Sequence, residues 1–172
     1  MIPASVPGLR VLESGRYRLT VGDGRSTEAL VAAGDYAYAH SCVTSENFPA
    51  RSHGAAAARD IVLLAFDRPV TSAEAIGQAA ARALQPPTYE DALHFGVQYP
   101  DAQRQHPVVF LHDPWLGFFG RRDVLCLWTN AGRRELGLEG FDDVWSPDHR
   151  LAFAAPGVHS AHTPGGGPRP WP

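Results

Sequence analysis

Residues 71–99 read TSAEAIGQAAARALQPPTYEDALHFGVQY, and the two helix starts in this stretch, separated by a double proline, decide what fold can be built around it. Thr71 precedes Glu74 by three positions, a spacing in which hydroxyl and carboxylate each satisfy one backbone donor left orphaned at a helix start. Ala75, Ile76, Ala79, Ala80, Ala83 and Leu84 then recur at helical spacing and predict a helix from Ser72 to Leu84. Pro86 and Pro87 stop it. Thr88 is a second cap, Glu90 and Asp91 complement the positive end of the next helix, and Ala92, Leu93, Phe95 and Tyr99 give it an apolar side until Pro100.

Outward from this pair the pattern is mostly β. Upstream, Asp60 to Phe66 (DIVLLAF) is a nearly continuous apolar run of strand length, bounded by Asp67-Arg68-Pro69, and reads as a buried strand. Tyr17 to Val21 alternates and meets the Gly22-Asp23-Gly24 turn signal. Between them, Ser26 to Ala33 suits a short capped helix, Asp35 to His40 alternates like a strand, and Arg51 to Arg59 has no clear period and reads as an exposed connection. Downstream, Val108 to Leu111, Val124 to Thr129, Glu135 to Phe141 and Leu151 to Ala154 read as strands, joined by an aromatic turn at Asp113 to Gly120 and a turn at Asn130 to Gly132. The expected fold is α+β: two helices packed on a mostly antiparallel sheet of short strands. The expected organisation is an N-terminal extension (1–16), one domain (17–155) and a flexible Pro/Gly-rich tail (156–172).

Composition narrows the function classes. The 172 residues carry 15 basic and 18 acidic side chains, a formal charge of −3, and every basic residue is Arg. That balance, with no basic stripe, argues against nucleic acid as a partner even though Arg121, Arg122, Arg133 and Arg134 flank two strand ends. No apolar run is long enough to span a bilayer and the first residues lack a leader pattern, so the sequence reads as cytoplasmic with no membrane partner. Cys42 and Cys126 have no metal-type spacing; a single bridge is geometrically open, but two reduced, buried thiols are the simpler reading.

The segment Leu84-Gln85-Pro86-Pro87-Thr88-Tyr89-Glu90-Asp91-Ala92-Leu93 is similar to the "RLPTEAEWE" type of motif, and DVWSPDHRLAFA (Asp143 to Ala154) looks like a Trp-containing loop feeding a closing strand that ends as "GFRLVR". Together they resemble the C-type-lectin-like fold, in the branch of formylglycine-generating enzymes and the variable proteins of diversity-generating retroelements, over about Val70 to Ala155. A closer likeness, over Ala83 to Pro114 with Asn47-Phe48-Pro49, is to small uncharacterised bacterial proteins, and it brings no activity with it. The chain departs from both lectin-like groups. Cys42 and Cys126 do not map onto the copper-binding cysteine pair of the former, and Arg, Glu, Gly and Trp stand where the latter place Asn, Tyr, Asp and Ser. The resemblance therefore implies a fold and a loop-presenting role, not a reaction.

Individual residues carry the remaining expectations. Trp115, Phe118 and Trp145 supply contact area at low entropic cost, and with Arg121, Arg122, Arg133 and Arg134 they are the candidate binding residues for a protein or small-molecule ligand. No catalytic or metal-binding residue is assigned and no cofactor is expected. The calcium alternative would use Glu139, Asp142, Asp143 and Asp148 around Trp145, which lack the Glu-Pro-Asn and Trp-Asn-Asp motifs of sugar-binding lectins. His159 and His162 have H-x-x-H spacing but sit in the Gly/Pro tail. A non-enzymatic binding protein is the leading expectation. The competing ones are a hydrolase-type or metal-dependent enzyme using His112 or His149 with neighbouring carboxylates, and a phage or assembly component.

Overall fold

The computed structural model describes residues 8–50 and 55–157 and shows an α+β fold on a mostly antiparallel open sheet. The elements that build it are β1 (Val11–Val21), α1 (Thr27–Ala33), β2 (Tyr38–Ala39), β3 (Ala57–Phe66), β4 (Val70–Thr71), α2 (Ser72–Ala80), α3 (Tyr89–Gln98), α4 (Ala102–Gln105), β5 (Val108–Phe110), β6 (Trp115–Leu116), β7 (Arg122–Asn130), β8 (Arg133–Gly140), β9 (Val144–Trp145) and β10 (Arg150–Ala154). The main sheet runs β1-β3-β10-β5-β7-β8-β2, with β6 added against the start of β7. Only the β10–β5 and β2–β8 pairs are parallel, and β4 pairs with β9 in a separate ladder.

Both faces of the sheet are covered, which explains the unbroken apolar run in β3. Ile61 and Leu63 pack with Leu93 and Phe95 of α3, while Val62, Leu64 and Phe66 pack with Ala75 and Ala79 of α2. Successive strand side chains point to opposite faces, so a strand between two helical layers has no polar side. Burying one such Leu or Phe contributes roughly 1.5–3 kcal/mol. The two sequence-predicted helices therefore brace opposite faces of the sheet, and α1 lies beside α3.

Both caps form as the sequence predicts. Thr71 Oγ1 accepts from the Glu74 N–H while the Glu74 carboxylate accepts from the Thr71 N–H, and Thr88 and Asp91 repeat the arrangement. Asp91 is also gripped in fork geometry by Arg59 of β3 at 2.8 Å on each oxygen, tying the start of α3 to that strand. The first helix ends at Ala80 instead of Leu84. Leu84 N–H donates to Ala79 O and Ala83 N–H to Ala80 O, a Schellman closure with Ala83 in the left-handed region at φ +58°.

Several strands are longer than expected. β1 begins at Val11, so residues 11–16 belong to the sheet and not to an N-terminal extension; β3 begins at Ala57. Residues 51–54 of the predicted connection, and 158–172 of the predicted tail, lie outside the described residues. β1 is an edge strand whose outward backbone groups are met by α3: Gln98 accepts from Thr20 N–H and donates to Thr20 O, and the Tyr99 hydroxyl donates to Arg18 O. Side chains thus occupy the positions a further strand would take. Both cysteines are free, Cys126 buried and Cys42 half-buried. No helix among the described residues is long and apolar enough to cross a membrane.

Candidate binding surface

β5 stops at Phe110, where its ladder with β7 has matched Val109 to Cys126. The next inward donor, Leu125 N–H, is taken by the His112 ring instead, at 3.0 Å from Nε2. Because Nε2 accepts there, Nδ1 carries the proton and donates to the Asp113 carbonyl at 2.7 Å. The imidazole stands in for a strand carbonyl and turns the chain out of the sheet into Asp113-Pro114-Trp115. Burial lowers the pKa of His112, and both ring nitrogens are committed. Both bonds hold the loop against β7.

Around His112 the aromatic side chains close into a cradle. Phe48 lies 5.5 Å from Tyr89 and 5.5 Å from Trp115, ring centre to ring centre, and the Tyr89 ring meets His112 edge-on at 5.9 Å. The Tyr89 hydroxyl donates to Pro49 O, fixing the ring that opens α3. A recess of about 320 Å³ lies over these rings, walled by Pro87, Thr88, Pro114 and Leu116. On the other side of the His112–Pro114 segment a second recess of about 270 Å³ is lined by Ile76, Pro86, Leu111 and Phe141.

Beyond Trp115 the chain makes a projecting tip. Phe118 is 77% exposed, Phe119 is fully exposed, and Leu116 is exposed beside them. Phe119 holds φ +63°, a left-handed conformation that a bulky non-glycine residue adopts only at a cost of roughly 1–2 kcal/mol. Arg121 pairs with Asp123 at 2.7 Å; Arg122 pairs with Asp142 and lies 4.9 Å from the centre of the Phe141 ring.

The other sequence-predicted residues are placed elsewhere. Arg133 and Arg134 open β8 at the far end of the β7–β8 hairpin, roughly 25 Å from Arg122 at about 3.3 Å per residue. Arg133 is exposed there. Arg134 is buried: its guanidinium donates to the carbonyls of Gly34 and Gly96 and to Gln103 Oε1, with the Tyr36 ring 4.8 Å away. It is an internal strut, not a contact residue. Trp145 is likewise inside, its indole N–H donating to Ser72 Oγ at 2.9 Å while Ser72 donates to Phe141 O. Of the seven candidates, Trp115, Phe118, Arg121 and Arg122 come together.

Among the described residues no three His, Cys, Asp or Glu side chains converge as a metal site. Asp142 faces Arg122 and Asp148 faces His106, while Glu139 is half-buried with its pKa raised, first by burial and then by Asp143. His149 shares a hydrogen bond with Ser146 across an exposed turn and lines neither recess. Sequence reasoning missed Phe48 and Tyr89. Both stood in motifs quoted only for their likeness, Phe48 in Asn47-Phe48-Pro49 and Tyr89 in the segment Leu84 to Leu93. No family model, curated protein or solved structure matches the chain.

Proposed function

We propose that this is a non-enzymatic binding protein whose contact surface is the Phe48–Tyr89–Trp115 recess together with the tip Leu116 to Phe119. The observation that carries this reading is the Phe119 ring, fully exposed on a left-handed backbone beside a rigid aromatic cradle. Exposing two phenylalanines and holding one in a costly conformation destabilises the free protein, and backbone strain of this kind clusters at ligand clamps. A partner that covers the rings offsets that cost. The lectin-like arrangement expected from the sequence fits the same reading, because it gives recognition to loops carried on a rigid mostly antiparallel sheet.

The test is a screen of short peptides against the isotope-labelled full chain, read by NMR. Binding is expected to shift resonances of Phe48, Tyr89, Trp115 and Phe118, and Phe118→Ser with Phe119→Ser to weaken every hit while leaving thermal stability unchanged or raised. Hits that shift other surfaces and ignore the double variant overturn the proposal.

A further inference from the structure

Three features of the recess restrict what fills it. Its described walls are mainly the rings of Phe48, Tyr89 and Trp115 and the prolines 87 and 114; of the polar side chains among them, Thr88 Oγ1 and both His112 nitrogens are already bonded, so Asn47 and Asp113 are left as the side-chain acceptors for the backbone N–H groups of a bound chain. Burying an unpaired N–H costs about 1–3 kcal/mol, so a segment without N–H groups loses least on entry. The Trp115 indole N–H has no partner among the described residues and is a donor suited to a ligand carbonyl. The Asp113 carboxylate is exposed on the rim, and among the described residues it has no partner and is the one charged side chain lining the recess.

An aromatic cradle, one free indole donor and one free carboxylate match a polyproline II segment bearing a cation. Proline removes the N–H groups, leaves carbonyls bare to accept, and enters already extended, so little chain entropy is lost. An arginine on that segment complements Asp113. We infer that the recess takes a proline-rich, arginine-bearing segment of a partner protein. This inference rests on the binding function proposed above and adds the chemistry of the partner.

The experiment titrates the full chain with a ten-residue peptide of prolines and one central arginine, following Trp115 and Tyr89 resonances. Replacing the prolines by alanine is expected to weaken binding about tenfold or more, the size of one lost buried contact. On the protein, Asp113→Asn is expected to cost about fivefold and to abolish the preference for arginine over glutamate in the peptide, while the preference for proline stays. Asp113 is exposed, so this variant folds. Equal binding of the alanine peptide, or an arginine preference that survives Asp113→Asn, overturns the inference. If a proline-free peptide occupies the recess instead, this inference fails and the binding function stands; if no peptide reaches Phe48, Tyr89 or Trp115, both fail. The chain itself contains Pro-Gly-Gly-Gly-Pro-Arg-Pro-Trp-Pro at 164–172. Binding that appears only after Pro168→Ala and Pro170→Ala assigns the recess to this segment and overturns a separate partner.

Discussion

Arg121-Arg122 and Arg133-Arg134 lie at opposite ends of one β-hairpin and are indistinguishable as sequence, yet their surroundings differ completely. At the far end, Arg134 is enclosed by α3, α4 and the Gly34–Tyr36 turn, and its donors go to two carbonyls and to Gln103. Gln103 in turn donates to the carbonyls of Trp128 and Glu135, and Thr129 donates to Gln103 O, so α4 clamps the hairpin end. At the near end α2 covers one face, with Val124 packed in the cluster of Ala75 and Ala79 and Ser72 bonded to Phe141 O, while the Arg121 and Arg122 side chains stay at the surface. The Arg122 side chain meets Asp142 and the Phe141 ring, and the chain beside it displays Phe118 and Phe119. The contrast separates a buried charge that holds the fold from surface charges paired only with neighbouring carboxylates.

The largest expected effect breaks the locked end. Arg134→Ala leaves buried carbonyl and amide oxygens without donors and is expected to lower stability by about 3–5 kcal/mol, by analogy with breaking a buried charged network. Arg122→Ala is expected to leave the urea midpoint unchanged. Equal midpoints for the two variants would contradict the distinction. Gly96→Ala probes the same locked region from the helix side, because an added Cβ would sit 1.7 Å from the Tyr36 hydroxyl. Overpacking of this kind is expected to cost about 1–3 kcal/mol, measurable by denaturation.

How much of this contrast was legible in the sequence follows from the range of the interactions. Thr71/Glu74 and Thr88/Asp91 are local, and so is the apolar run of β3; each was read correctly as an element. The burial of Arg134 depends on Gly34, Gly96 and Gln103, up to 100 positions away, and α4 is one turn with no amphipathic period to reveal it. The same limit hid the cradle. Phe48, Tyr89 and Trp115 converge only because His112 completes the hydrogen bonding of β7 and turns the loop back over the start of α3. Trp145 was misplaced outside because its partner, Ser72, stands 73 residues away.

Acidification tests the base under the open end. Burial lowers the pKa of both His112 and His94; for His94, Asp23 acts against the shift and Arg25 with it. A depressed folded-state value means that the unfolded chain binds the proton more readily. Stability is therefore complete above the unfolded value of about 6.5 and falls as pH drops below it, levelling off once the folded-state values are passed. Each unit of depression is worth about 1.4 kcal/mol. Glu139 works in the opposite sense, since its raised pKa relieves a penalty as pH falls, so Glu139→Gln is the cleaner background. The urea midpoint is expected to be lower at pH 5.5 than at 7.5, and an equal or higher midpoint would sink the claim.

The smallest expected effects sharpen the comparison most. Ala83 and Phe119 are both non-glycine residues at positive φ, one closing α2 and the other carrying the exposed tip. Glycine relieves the left-handed conformation at each site, less its own loss of chain entropy, so Ala83→Gly and Phe119→Gly are each expected to raise stability by about 0.5–1 kcal/mol. The two differ in what else they remove. Ala83 contributes one methyl at a helix end, so its variant should bind any partner of the recess as the parent does. Phe119 has no packing to lose in the free protein, so the stability gained at that position should come with weaker binding, read in the same titration. A Phe119→Gly variant that is more stable and binds undiminished would show that the strain serves no contact, and the open end would then be merely uncovered.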